Sequence, residues 1–71
     1  MTTPAVVRHL TAIGAAGRRM LARVDGAIRL FASDPRAPGA QGACAVAVRD
    51  ALDEFAGVVA RVIDEIAGVA E

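Results

Sequence analysis

The residues of this chain that could do chemistry are few and scattered. His9 is the only histidine, Cys44 is the only cysteine, and Asp50, Asp53 and Glu54 form the densest acidic group. Bundle proteins that bind two metal ions add Glu-x-x-His motifs to inward-pointing carboxylates, but no histidine accompanies this group and its spacing turns it away from the apolar stripe. Neither serine nor cysteine has a nearby base in the sequence to activate it as a nucleophile. We therefore predict no catalytic residue, no metal, no cofactor and no enzymatic activity.

The segment IGAAGRRM is a second candidate, because Gly14 and Gly17 precede two arginines. Glycine loops that open a helix bind phosphate through free N–H groups. These glycines fall inside a helical pattern, where the helix itself uses its N–H groups. We interpret Gly17 as a point of close packing against a residue such as Phe55, so that Gly17→Ala should destabilise the protein and Gly26→Ala should stabilise it.

The arginines of the N-terminal half share one outward arc of about 140°, at 100° per residue. A basic helical face can bind phosphate backbones, but no aromatic or amide residue lies among these arginines to stack on bases or read them. A solvated or acid-paired face is the simpler interpretation. In shape, a small helical dimer of this kind resembles the RNA-binding Rop family, and nucleic-acid binding stays open as an alternative function. The candidate anion-binding residues are Arg8, Arg18, Arg19, Arg23 and Arg29.

Two helices must position these residues. Thr3-Pro4 is a good helix start, and the break SDPRAPG, with Pro35 and Pro38, predicts that the first helix covers 4–33. Its apolar residues alternate steps of four and three, which is a heptad seam. The seam positions are Val6, Leu10, Ile13, Gly17, Met20, Val24, Ala27 and Phe31.

The second helix repeats this rhythm after a turn at 34–42. We predict that it covers 43–70, with a start anywhere from 38 to 44, because Gln41 and Gly42 are weak caps. Equal lengths and a short connection favour an antiparallel all-α hairpin, a single domain over 1–71. The seam positions of this helix are Val48, Leu52, Phe55, Val59, Val62, Ile66 and Val69.

Charge divides unequally between the two helices. The first carries five arginines against Asp25, and the second, with Glu71, carries six acidic residues against two arginines. Opposite charges on neighbouring helices orient and select partners more than they stabilise. His9 flanks the seam near the open end of the hairpin, where Glu65 is its expected partner.

Association is expected because a chain of 71 residues builds only a marginal core of its own. A single cysteine excludes a disulfide within the chain. Both apolar arcs are wider than one partner helix covers, which favours pairing of two hairpins into a four-helix bundle or larger assembly. The expected partner is a second copy, and another helical protein stays open. The predicted interface residues are Leu21, Ile28, Leu52, Phe55, Val58, Val59, Val62, Ile63 and Ile66.

The C-terminal segment GACAVAVRDALDEFAGVVARVIDEIAGVA resembles the second helix of the small helical-hairpin (WXG100-like) substrates of type VII secretion. The resemblance rests on its alanine content and on the Leu and Phe pattern of Leu52-Asp53-Glu54-Phe55. The turn reads RAPGAQGA, without the Trp-x-Gly of that group. The resemblance implies a secreted helical hairpin, which is a third possible function.

The sequence shows no signal for membrane insertion or cleaved export. Its longest uncharged run, 37–48, contains a proline and is too short to span a bilayer. The N-terminus lacks a basic start followed by a long apolar stretch. We expect a cytoplasmic protein, with secretion without a cleaved signal peptide left open.

Overall fold

The computed structural model describes residues 4–70, with the side chains of residues 4–68. Two helices, α1 (Pro4–Ser33) and α2 (Ala40–Ala70), run antiparallel side by side. The all-α hairpin predicted from the sequence is confirmed. Its Cα atoms extend over 53 × 18 × 9 Å, so the molecule is a slab two helices wide and one helix thick. The predicted cap Thr3, the seam side chain of Val69 and the charge of Glu71 lie outside the described residues.

The turn between the helices is closed by backbone hydrogen bonds and by one glycine. The Asp34 N–H donates to the Phe31 carbonyl at 3.3 Å, and the Ala37 N–H donates to the Asp34 carbonyl at 3.2 Å. Gly39 has a φ of 76°, in the left-handed region that favours glycine. Its carbonyl accepts the Ala43 N–H at 2.9 Å, the first hydrogen bond of the second helix.

Helix α2 therefore begins at Ala40, within the expected range of 38 to 44 and three residues before residue 43. The prediction looked for a side-chain cap, and Gln41 and Gly42 are poor ones. In the structure Gly39 stands at the N-cap position, where glycine is tolerated because the backbone conformation, rather than a side-chain oxygen, starts the helix. The turn shortens to residues 34–39.

Alanine sets the contact between the helices. Among the described side chains, only Ala16, Ala51 and Val62 are buried, at 3%, 1% and 7% exposure. Small side chains at the line of contact let the helices approach closely, and the larger residues flank that line. Two helices in one layer enclose little interior, so the hairpin has a small core for its length.

Most of the predicted seam lies along the contact between the helices, since ten of its fourteen described positions are buried or half-buried. Val6, Leu10, Leu52 and Ile66 were predicted to face the other helix, but each is about half exposed or more. At 100° per residue, the observed contact is turned by about 40° from the predicted seam on each helix. A seven-residue repeat drifts by about 20° per heptad on a straight helix, and the buried Ala16 and Ala51 lie on the side toward which the contact is turned.

Gly17 lies opposite Phe55, as predicted, but the space between them is larger than expected. A Cβ placed on Gly17 would lie 3.6 Å from Cε1 of the Phe55 ring, an ordinary van der Waals distance. The expectation that Gly17→Ala would crowd the hairpin is therefore wrong for this pair of helices.

We expect Gly17→Ala and Gly26→Ala each to raise the free energy of unfolding by up to about 1 kcal/mol, because alanine is the better helix former. A Cβ on Gly26 meets nothing within 4 Å, which makes Gly26→Ala the reference for helix propensity alone. Thermal melts of both variants test this. A loss of stability at Gly17 alone would show that a neighbour other than the Phe55 ring of the same chain crowds the new methyl group.

Candidate interaction surface

Ion pairs between the helices mark one face of the slab. Arg19 Nε lies 3.8 Å from Glu54 Oε1, and Arg23 pairs with the other oxygen of Glu54. Near the open end of the hairpin, His9 Nδ1 lies 3.4 Å from Glu65 Oε2, which is the predicted pair. All five residues lie on the same side of the line of contact between the helices. We call this side the ionic face.

Seven of the large exposed apolar residues lie on the opposite side of both helices, while Leu30 lies on the ionic face and Val7 and Val46 lie on the outer edges. On α1 the apolar residues of this opposite side lie about 40–100° from the line of contact in one sense, while the arginines of the ionic face lie about 60–100° from it in the other sense. Each angle is measured about the helix's own axis, viewed from its N-terminus. Because the helices are antiparallel, the same sense of rotation away from the contact leads to the same face of the slab on both helices. We call this the apolar face; it comprises Val6, Leu10, Gly14, Gly17, Leu21 and Ile28 of α1, and Ala45, Leu52, Ala56, Val59, Ile63 and Ile66 of α2.

Charged residues lie along the edges of the apolar face. In the part of the chain that the structure describes, Asp25 lies on the outer edge of α1 and Arg49 on the outer edge of α2, and the Arg18 guanidinium reaches to 3.6 Å from the Cβ position of Gly14 at the rim of the face. Seven large apolar side chains of this face are about half exposed or more, and a contiguous exposed group of this kind is typical of an interaction site. The apolar face therefore indicates an interaction surface.

The predicted interface residues divide between the apolar face and the interior of the hairpin. Five of the predicted interface residues are exposed on the apolar face: Leu21, Ile28, Leu52, Ile63 and Ile66. Phe55 and Val59 are half-buried along its inner edge, Val58 is half-buried toward the ionic face, and Val62 is buried between the helices. Sequence reasoning missed Val6 and Leu10 as members of the exposed surface, because the heptad pattern assigned them to the contact within the hairpin.

The five arginines predicted as an anion site do not converge. Arg19 and Arg23 share Glu54, and Arg29 Nε lies 2.9 Å from Asp25 Oδ2. The Arg18 guanidinium folds back along α1 toward Gly14. Arg8 lines a groove of about 330 Å³ near the open end of the hairpin. Exposed pairs of this kind contribute about 0–1 kcal/mol each, so they orient the helices more than they stabilise them.

A second groove lies beside the turn. It has a volume of about 370 Å³, and small apolar side chains such as Ala27, Ala40 and Ala47 form most of its wall, with the half-buried thiol of Cys44 among them. Within residues 4–70, no three His, Cys, Asp or Glu side chains come together in a way that could hold a metal ion. Neither α1 nor α2, over the described residues, is long and apolar enough to cross a membrane.

The chain matches no protein-family model, no curated protein and no solved structure. The part of the type VII resemblance that the structure supports is the two-helix hairpin, and no family match accompanies it.

Proposed function

We propose that this protein is a non-enzymatic assembly subunit that associates with a second copy of itself through the apolar face. The observation that carries the proposal is the apolar surface formed by both helices, on which seven large side chains are about half exposed or more. A symmetric dimer uses the same patch on both subunits.

Pairing would supply the core that the hairpin lacks. Two slabs stacked on their apolar faces form a four-helix bundle, in which the exposed leucines and isoleucines become interior residues. Burying the exposed part of each such side chain contributes roughly 1 kcal/mol, since full burial contributes about 1.5–3 kcal/mol. Seven large residues of the face are about half exposed or more: Val6, Leu10, Leu21, Ile28, Leu52, Ile63 and Ile66.

The mass of the protein in solution tests the proposal. We expect sedimentation or light scattering at micromolar concentration to show a dimer, or a larger even assembly, of the 7.2 kDa chain. A compact and stable monomer at these concentrations would refute self-association. A monomer that forms a one-to-one complex with another helical protein would assign the apolar face to that partner instead.

The ionic face is expected to bind no nucleic acid. Glu54 already neutralises Arg19 and Arg23 in part, and no aromatic side chain lies beside them to stack on bases. Titration with duplex and hairpin RNA over a range of salt concentrations should show no binding. Binding that weakens steeply as salt rises, and that is abolished by charge reversal at Arg19 and Arg23, would favour the Rop-like alternative.

A further inference from the structure

We infer that the two hairpins pair with their turns at the same end, so that α1 of each subunit stacks on α2 of the other. The inference rests on the proposed self-association and adds the orientation of the partner. Two slabs can stack face to face about a two-fold axis in only two simple ways. An axis parallel to the helices stacks α1 on α2 with both turns at one end, and an axis across the helices stacks α1 on α1 with the turns at opposite ends.

The charges of the helices distinguish these arrangements. Helix α1 carries five arginines and one aspartate, a net charge of +4, and α2 carries two arginines and five acidic residues, a net charge of −3. Turns at the same end place each positive helix against a negative helix of the partner. Turns at opposite ends place the two positive helices together and the two negative helices together. Complementary charge fixes register and suppresses wrong pairings.

Four charged residues beside the apolar face support the same orientation at specific positions. Arg18 and Asp25 lie on the outer edge of α1, and Arg49 and Asp53 lie on the outer edge of α2. Asp25 pairs with Arg29 in its own helix, whereas Arg18, Arg49 and Asp53 form no ion pair within the part of the chain that the structure describes. The side chains of Arg18, Arg49 and Asp53 can therefore form ion pairs with a partner subunit.

The register of the hairpin shows which of these charges would meet. His9 lies opposite Glu65, and Gly17 lies opposite Phe55, so residues 25 and 49 are at about the same height along the slab. An axis parallel to the helices preserves height. Asp25 then faces the partner's Arg49, and Arg18 lies within one helical turn of the partner's Asp53.

The opposite arrangement offers no such match on α1. With the axis across the helices near the middle of the slab, Arg18 comes close to the partner's Arg18. Like charges opposed across an interface are unfavourable. The same four outer-edge residues therefore favour the dimer in which the turns of both subunits lie at the same end.

The distance between the two turns tests the orientation directly. In a Cys44→Ala background, Arg36→Cys places one spin label on the exposed turn of each subunit. Turns at the same end should give a label-to-label distance within roughly 25 Å, since packed helices are about 8–10 Å apart. A distance close to the 53 Å length of the slab would overturn the inference and leave self-association intact. A labelled protein that stays monomeric at every concentration, as does the native chain, would instead refute the proposed function.

Charge exchange at one predicted pair provides a second test. We expect Asp25→Arg and Arg49→Asp each to raise the dimer Kd about tenfold, and the double variant to return to within about threefold of the native Kd. Arg61→Asp makes the same charge change near the ionic face and should alter the Kd less than about twofold. Single effects that multiply in the double variant would show that these residues do not meet, which overturns the inference.

Discussion

Leu21→Glu is expected to dissociate the assembly into monomers, whereas Leu30→Glu leaves its mass unchanged. Both leucines are on α1 and both are largely exposed in the hairpin, at 62% and 75%. Leu21 lies on the apolar face, and Leu30 lies at the angular position of Arg19 and Arg23 on the ionic face. The two substitutions make the same change in charge and side-chain size on opposite faces of the slab, and Leu30 lies in the last turn of α1.

The expected size of this effect follows from burial. A dimer of Leu21→Glu would bury two carboxylates without partners and would lose two leucine contacts, so we expect the Kd to rise by more than about 100-fold. Sedimentation over a range of concentrations measures the Kd, and circular dichroism checks that each variant keeps its helices. If both variants dissociate equally, or if neither does, the apolar face is not the interface.

Phe55→Ala should lower the free energy of unfolding by about 3 kcal/mol, the low end of the range for a phenylalanine in a core. The ring is half-buried at the line of contact between the helices, opposite Gly17. Because Gly17 carries no side chain, the structure offers nothing to fill the space that the ring would leave. Pairing through the apolar face would bury the ring further.

Val46→Ala is the matched control for Phe55→Ala. Val46 is on the same helix but is exposed on its outer side, so its truncation should change the free energy of unfolding by less than about 0.5 kcal/mol. Urea denaturation at one fixed protein concentration compares the variants, because the stability of an associating protein depends on concentration. A loss below about 1 kcal/mol for Phe55→Ala would show that the ring contributes little to the packing of the helices.

The sequence by itself determined the two helices and the break between them. Pro35 cannot continue a helix, and Gly39 adopts a conformation that other residues rarely reach, so the turn depends on local sterics. The pairing of His9 with Glu65 also followed from the sequence, because an antiparallel hairpin with a short turn brings the two ends of the chain together. The first residue of α2 did not follow, since a glycine backbone and no capping side chain begins that helix.

Only the tertiary structure decided which part of each apolar arc faces the other helix. A heptad pattern gives the direction of an apolar stripe to within a fraction of a turn, but it does not distinguish contact within a hairpin from contact with a partner. Ala16 and Ala51 are buried along the line where the helices meet. That contact turns Leu10, Leu21 and Ile63 together onto one exposed face, because in an antiparallel pair the same rotation on both helices leads to the same side.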